Sequence, residues 1–263
     1  MSKYLAVVSN SVKKSLVYRA NTFIMVVSTF FSFVVLFYFW SSIYGQGNKI
    51  GTYTLAEIIS YYIFLTIFEL LVMGDGTAWS IGDEIKSGQI TSSILRPIKY
   101  LEYKFSQSIG SLLFRLMIFS LPIIGALLLL RDYLVAPGSL MVYAFFALGA
   151  IMSYALYFLV FYIVGLISFW TGDSYGFFFA AFVVINFMQG GLFPLDLLPK
   201  WFLMVGNFLP FKYLFFVPVG IVTGRLVFDY TFVLIPVLWC VALYFIANLL
   251  YKKGLKKYEG YGI

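Results

Sequence analysis

Residues 139–169 read SLMVYAFFALGAIMSYALYFLVFYIVGLISF and contain no charged side chain. About 20 consecutive apolar residues are enough for a helix to cross the hydrocarbon core of a bilayer. This stretch is longer than one crossing requires, so we expect its helix to tilt or to extend beyond the membrane. The stretch therefore indicates an integral membrane protein.

Apolar residues dominate the rest of the chain as well. Of the 263 residues, 62% are hydrophobic and 11% are charged, and the mean hydropathy is +0.94. A soluble domain carries about 25% charged residues, and its core cannot absorb this much apolar surface. Further spans are predicted at residues 22–44, 54–74, 105–130, 175–191 and 228–251. We predict an all-α integral membrane protein with six transmembrane helices in a single domain, residues 1–263.

The basic residues predict the orientation of the chain. If both termini lie on one side of the membrane, that side carries twelve: Lys3, Lys13, Lys14, Arg19, Lys86, Arg96, Lys99, Lys104, Lys252, Lys253, Lys256 and Lys257. The other side carries five: Lys49, Arg131, Lys200, Lys212 and Arg225. The side richer in Lys and Arg faces the cytoplasm. We therefore expect a multi-pass protein of the cytoplasmic membrane with cytoplasmic termini and no nucleic-acid partner.

The first 20 residues predict an amphipathic helix. Its apolar face holds Tyr4, Leu5, Val8, Val12 and Leu16, and its polar face holds Lys3, Asn10, Lys13 and Lys14. Such a helix lies on the membrane surface. The alternative is a basic flank that only orients the first span.

Residues that carry common enzyme chemistry are scarce. The chain has no histidine, Cys240 is its only cysteine, and no GxxxxGK[ST] phosphate-binding motif occurs. The sequence therefore argues against a self-contained ATPase or hydrolase and predicts no metal site and no cofactor in this chain.

A polar stretch separates the second and third spans, and we call it the coupling segment (residues 75–104). Within it, residues 82–98 read GDEIKSGQITSSILRPI, which predicts a short helix with a flexible Gly88 and a stop at Arg96-Pro97. Its apolar residues are Ile81 on the flank, Ile85, Ile90, Ile94 and Leu95. They would allow docking against a partner, whereas a solvated connector without a partner fits the pattern equally well.

Four prolines interrupt the apolar stretch before the last span, which we call the proline segment (residues 192–224). They are Pro194, Pro199, Pro210 and Pro218. Each removes a backbone donor and crowds the preceding turn, so a continuous helix is excluded. We expect two short external half-helices that dip into the membrane and gate a pathway. The alternative is an aromatic anchor in the headgroup zone.

The order of these segments resembles the type 2 ABC exporter permeases of the ABC-2 family, and within it the branch once called DUF990. The resemblance covers essentially the whole chain. It rests on Leu95-Arg96-Pro97-Ile98 in the coupling segment and on a GxxPLxxxP pattern followed by a proline–phenylalanine pair. The residues of that second pattern are Gly191, Pro194, Leu195, Pro199, Pro210 and Phe211.

The resemblance implies a permease that pairs with a second copy or a similar permease and binds a separate ABC ATPase, which holds the ATP and Mg. The implied ATPase-coupling residues are Asp83, Glu84, Ile85, Gly88, Ile94, Leu95, Arg96 and Pro97. The implied external gate contains Gly191, Pro194, Pro199, Pro210 and Phe211. Such a protein exports a hydrophobic or amphipathic substrate, contacts membrane lipid and catalyses no reaction itself.

Two further predictions concern residues inside the spans. A charge at the bilayer centre costs about 2.5–3.5 kcal/mol on insertion scales, so we expect Glu69 and Arg115 to approach each other or to share water. Snorkelling of Arg115 to the interface is the alternative. The resemblance also implies a substrate pathway between the second and fifth spans, lined by Tyr61, Tyr62, Phe178, Asn186 and Gln189.

Two other functions are compatible with a membrane bundle. An ion-coupled secondary transporter would use Glu57, Glu69 or Asp173 and no ATPase, although the sequence has no evident internal repeat. A membrane-embedded enzyme that acts on lipid would need clustered polar groups at the interface, and the sequence offers no histidine and no paired carboxylates.

Overall fold

The computed structural model describes residues 2–17, 19–45, 51–72, 76–135, 138–173 and 175–258. The second predicted span ends at residue 74 and the coupling segment begins at residue 75, and both residues lie outside these ranges. Met1 and Tyr18, near the ends of the predicted surface helix, and Lys49 lie outside them as well. The described α-helices are α1 Ser2–Val17, α2 Arg19–Gly45, α3 Leu55–Val72, α4 Thr77–Lys86, α5 Ile90–Ile94, α6 Tyr100–Leu129, α7 Leu140–Leu166, α8 Ser168–Thr171, α9 Tyr175–Met188, α10 Lys200–Asn207, α11 Phe216–Val222 and α12 Thr231–Lys257. No strand occurs in the described ranges.

Five helical segments are long and apolar enough to cross a membrane: Val27–Gly45, Leu55–Lys86, Tyr100–Leu129, Leu140–Thr171 and Thr231–Lys257. The prediction of an all-α integral membrane protein is confirmed. The fourth predicted span forms α7 and α8, and Ser139 caps α7 by accepting a hydrogen bond from the Met141 amide at 3.3 Å.

The fifth predicted span is the short helix α9, whose 14 residues reach about 21 Å at 1.5 Å per residue. It begins where the ring of Tyr175 lies 4.2 Å from that of Trp79, in α4. Beyond its far end, the Gly190 carbonyl accepts a hydrogen bond from Tyr61, in the first half of α3. The chain from α9 to Gly190 therefore runs between opposite ends of the bundle, although α9 itself is shorter than the helices of crossing length.

The first part of the coupling segment forms α4, and one side of this helix is buried although the segment is polar. The residues of α4 that point inward follow a helical spacing, namely Thr77, Ala78, Ile81, Gly82 and Ile85. They pack on α7 where Gly165 lacks a side chain: a Cβ there would lie 2.9 Å from the Ile81 Cβ. The α4 helix is thus part of the bundle, and residues 87–99, which we call the α4–α6 connection, follow it with mostly exposed side chains.

The N-terminal helix forms as predicted, and it packs along the first half of α6. The Ser11 hydroxyl donates a hydrogen bond to the Gln107 carbonyl at 2.7 Å. Gly110 permits the close approach, since a Cβ at this position would lie 2.6 Å from the Val8 carbonyl oxygen. Leu5 and Leu16 stay exposed, so α1 keeps an apolar edge for lipid while its Tyr4 and Val8 side faces α6.

Among the described helices, α3 and α7 bury the most side chains. Tyr61 and Phe68 of α3 and Phe158 and Phe161 of α7 are almost completely inaccessible to solvent. The outward faces of α2, α6, α9 and α12 carry exposed apolar side chains. A bundle with an apolar exterior of this kind is suited to a bilayer rather than to water.

Candidate functional site

The α4–α6 connection contains α5, the short helix that the sequence predicts for coupling to a partner. Gly88 turns the chain between α4 and α5 with a φ of +76°, a left-handed conformation that favours glycine. Of the apolar residues predicted to dock, Ile81, Ile85 and Ile90 are buried inside the chain. Ile94 is 40% exposed and Leu95 is 81% exposed. The apolar surface that a partner can contact in this conformation is therefore Ile94 and Leu95.

Glu84 ties α4 to the helices around it. One carboxylate oxygen accepts a hydrogen bond from the Lys104 ammonium at 2.7 Å, and the other accepts one from the Tyr100 hydroxyl at 2.8 Å. Lys104 also donates to the Ser80 hydroxyl at 2.7 Å, and its side chain is only 2% exposed. Since a buried ion pair holds only if its polar atoms are satisfied, this network fixes α4 against α6 at the base of the connection.

The α1 helix supports the other end of the connection. Lys3 donates a hydrogen bond to the Pro97 carbonyl at 2.9 Å, and the Tyr4 hydroxyl donates to Glu102 at 2.6 Å. The hydrogen bond to Glu102 raises the pKa of Tyr4, so Tyr4 stays a donor at neutral pH. Arg96 places its guanidinium 4.4 Å from the centre of the Tyr103 ring. We did not predict from the sequence that α1 contacts the α4–α6 connection. Ser11 and Gly110, which allow α1 to approach α6 closely, were the residues that could have indicated it.

Two of the predicted pathway residues hold the chain that enters the proline segment. The Tyr61 hydroxyl donates to the Gly190 carbonyl at 2.7 Å, and the Tyr62 hydroxyl donates to the Leu192 carbonyl at 2.6 Å. Both rings are buried. In this conformation, Tyr61 and Tyr62 therefore attach α3 to the start of the proline segment and face no open space.

The other predicted pathway residues lie on or just after α9. Gln189 is fully buried and donates to Asn186 at 3.3 Å. Phe178 is half-buried, with its ring 5.1 Å from Trp79 and 5.4 Å from Phe161. Within the described residues, these side chains pack against neighbouring helices, so any pathway along α9 requires a different arrangement of the chain.

The proline segment forms two short helices, α10 and α11, at 90° to each other. The predicted pair of half-helices is confirmed in shape. Pro199 directly precedes α10, and Pro210 precedes a short 3₁₀ turn, Phe211–Tyr213. Each proline thus stands where a helix begins and the missing N–H has no partner to lose. Phe211 is half-buried, and a Cβ on Gly191 would collide with the Asn186 side chain.

A polar clamp, which the sequence did not predict, joins the end of the proline segment to the start of α3. Arg225 lies 3.5 Å over the ring centre of Tyr53 and donates to the Thr52 carbonyl at 2.8 Å and to Glu57 at 3.1 Å. Tyr53 donates to Asp196 at 2.9 Å. Burial, followed by the Asp196 charge, raises the pKa of Tyr53, so Tyr53 remains a donor.

Glu57 is therefore engaged in structure. Its carboxylate accepts a hydrogen bond from the Thr54 amide at 2.8 Å, and the Thr54 hydroxyl accepts one from the Glu57 amide at 3.3 Å. This reciprocal pair is a capping box at the start of α3. The capping box and the hydrogen bond from Arg225 together account for the Glu57 carboxylate. A role in carrying protons is not needed to explain it.

Among the described residues, no hydrogen bond or ion pair joins Glu69 to Arg115. Arg115 is 4% exposed, and none of its three guanidinium nitrogens has a hydrogen-bond partner in the described chain. The ion pairs of the described residues do not include Glu69.

Residues 172–176 read GDSYG and match the GxSxG pattern of serine hydrolases. That pattern acts on a turn between a strand and a helix and needs a base, whereas here helices precede and follow it and the chain has no histidine. Gly172 adopts a φ of +73°, and Asp173 accepts a hydrogen bond from the Tyr175 amide at 3.1 Å. Gly172 and Asp173 thus follow α8, Tyr175 begins α9, and Ser174 lies outside the described residues. No group of acidic or cysteine side chains in the described ranges is placed to hold a metal ion.

Comparison with protein families gives a match over most of the chain. The family described as ABC-2 family transporter protein matches residues 23–262. The match begins in α2 and extends past α12, so it includes the α4–α6 connection and the proline segment. No curated protein and no solved structure matches the chain.

Proposed function

Since that match covers nearly the whole chain, the protein belongs to the ABC-2 transporter family, and we propose that it is the permease subunit of an ATP-driven exporter. Membership in the family supports a multi-pass membrane permease and implies an ABC ATPase as partner. The proposal adds outward transport of a hydrophobic or amphipathic substrate, cytoplasmic termini, pairing with a second permease and a specific surface for the ATPase. It also includes the narrower DUF990 branch.

The shape of the α4–α6 connection is the observation that carries the proposal. Ile94 and Leu95 project from a short helix that Glu84 and Lys104 hold at its base. A push on this helix is therefore passed to α4 and α6 together, since their link is a buried ion pair rather than a flexible loop. Asp83 on α4 and Arg96 directly after Leu95 are exposed, so they are suited to polar contacts with the ATPase.

A mechanical path leads from this surface to the proline segment. The α4 helix and α3 belong to one candidate span, Leu55–Lys86. At the far end of that span, Tyr61, Tyr62 and Glu57 bind residues that enter or leave the proline segment. Movement of α4 under the ATPase would therefore shift α10 and α11, which we propose as the external gate.

Alternating access follows if ATP favours one of two states of the pair of subunits. The partner chain binds ATP with Mg and hydrolyses the ATP. The membrane subunits of this family are generally non-catalytic. The residues of the present chain transmit movement and form the pathway. Phe178, Asn186 and Gln189 of the α9 region are proposed to meet substrate once the rearrangement exposes them.

Copurification tests the partner and the surface together. The tagged full-length chain, purified in mild detergent from its own host, should retain a chain with a GxxxxGK[ST] motif. Leu95→Asp should lose that chain, because a charge replaces the most exposed apolar side chain of the connection. The matched control is Val227→Asp, which changes a 91% exposed residue between α11 and α12 and should retain the partner. Retention by Leu95→Asp would contradict the proposed surface.

Transport measurements separate the proposal from an ion-coupled transporter. Inverted vesicles that contain the permease and its copurified ATPase should accumulate a fluorescent amphipathic dye only when ATP is supplied. Uptake sustained by a proton gradient after removal of ATP would overturn the proposal. Glu57→Gln should leave the energy source unchanged, since Glu57 serves the capping box and Arg225.

A further inference from the structure

An apolar groove lies between α2, α3 and α6, apart from the coupling surface and the proline segment. Its volume is about 260 Å³. On α6 it extends from Phe119 to Leu130, on α3 from Ile63 to Leu70, and on α2 it is closed by residues from Val27 to Phe33. We call it the α2–α3–α6 groove.

The lining of the groove selects hydrocarbon. Of the fourteen lining residues, only Thr29 and Thr66 carry a polar side-chain atom. A cavity with such walls offers water no set of hydrogen-bond partners, and an apolar cavity of about 150 Å³ already binds benzene. The α2–α3–α6 groove is larger and therefore has room for a longer apolar group.

The dimensions of the groove match one leaflet of a bilayer. The eleven steps from Phe119 to Leu130 cover about 16 Å along α6 at 1.5 Å per residue, and half of the hydrocarbon core is about 15 Å. Val27 and Phe30 are exposed on the outer surface of α2, so the groove opens toward lipid. An extended acyl chain fits it lengthwise.

The end of the groove at Leu130 is followed directly by a cationic residue. Arg131 is exposed, and its one ion pair among the described residues is a long contact of 3.7 Å with the exposed Asp132. An arginine guanidinium binds phosphate through paired hydrogen bonds. The apolar lining of the groove is therefore followed by a side chain that can bind phosphate. In a phospholipid, an acyl chain and a phosphate follow each other in the same order.

We propose that the α2–α3–α6 groove holds one acyl chain of an outer-leaflet phospholipid whose phosphate lies at Arg131. The leaflet rests on the orientation given under the proposed function, whereas the presence of the lipid does not depend on any ATPase. The bound chain fills the space between α2 and α6 and so keeps α2 packed against α3.

Photolabelling of the full-length permease tests the site. The purified chain is reconstituted in phosphatidylcholine vesicles that contain a phosphatidylcholine with a diazirine in the middle of one acyl chain. We expect adducts concentrated on residues 63–70 and 119–130. Ala126→Trp, which fills the groove from α6, should lower this labelling about tenfold, equivalent to about 1.4 kcal/mol. Ala242→Trp changes an exposed alanine of α12 and should leave it unchanged.

The outcomes separate a specific site from general contact with lipid. Equal labelling of all lipid-facing helices, or undiminished labelling in Ala126→Trp, would overturn the proposal. Thr66→Phe fills the groove from α3 and replaces Ala126→Trp if that variant fails to fold. Arg131→Gln should weaken retention of phospholipid in native mass spectrometry. If a diazirine-bearing alkane labels the groove as well as the phospholipid does and Arg131→Gln has no effect, the occupant is an apolar molecule without a headgroup.

Discussion

The ammonium of Lys104 lies 2.7 Å from the carboxylate of Glu84, and this ion pair joins α6 to α4 beneath the coupling surface. Lys104 is almost completely buried, whereas Glu84 keeps some access to solvent. Removing the acid would leave a buried cation without its counter-charge.

We expect Glu84→Ala to lower the free energy of unfolding by about 3–5 kcal/mol, the usual cost of breaking a buried pair. The double variant Glu84→Ala/Lys104→Met should recover part of that loss. Thermal unfolding of the detergent-purified chain measures both. Lys99→Met is the control, since Lys99 is exposed in its pair with Glu102 and should change stability by less than about 1 kcal/mol. Equal effects of Glu84→Ala and Lys99→Met would contradict the structural role.

The contact between α1 and α6 gives a second prediction at Gly110. We expect Gly110→Ala to destabilise the protein by about 1–3 kcal/mol, because the added Cβ meets the Val8 backbone. Hydrogen exchange of the α1 amides should rise at the same time. Gly125→Ala lies in the same helix with open space around the new Cβ, so it should be neutral or stabilising by about 0.5–1 kcal/mol. Unchanged exchange in α1 would refute the proposed packing.

Arg115 supplies a third prediction because its guanidinium is buried without a partner. Arg115→Met should raise stability, by about 1–4 kcal/mol if it follows other replacements of buried charges by apolar side chains. A double-mutant cycle with Glu69→Gln should be additive within about 0.5 kcal/mol. A coupling energy above about 1 kcal/mol would show that the two residues do pair. Loss of ATP-driven transport in a stable Arg115→Met protein would place the role of the charge in another conformation.

The fourth prediction distinguishes attachment of the proline segment from contact with substrate. Tyr61→Phe leaves the buried Gly190 carbonyl without its donor and should cost about 1–3 kcal/mol. Tyr38→Phe changes an exposed tyrosine of α2 and should cost little. If Tyr61→Phe alters which dyes are transported while stability stays the same, Tyr61 contacts substrate rather than the backbone of the proline segment.

Helices and their breaks were predictable because they depend on local chemistry. The apolar runs and the prolines before α10 each act within a few residues, and the structure confirms the helices and breaks that they predict. The packing of α4 was not predictable in this way. The helical spacing of Ala78, Ile81 and Ile85 finds its partner in α7, far along the chain.

The sequence by itself determined that this protein lives in a membrane, roughly where it crosses and where its helices are interrupted. These properties follow from hydrophobicity summed over about 20 residues and from the missing N–H of proline. Only the tertiary structure decided which polar side chains meet. Arg225 reaches Glu57 and Lys104 reaches Glu84, whereas the Arg115 guanidinium has no hydrogen-bond partner among the described residues. A hydrogen bond requires atoms about 3 Å apart, and sequence spacing does not set distances between helices.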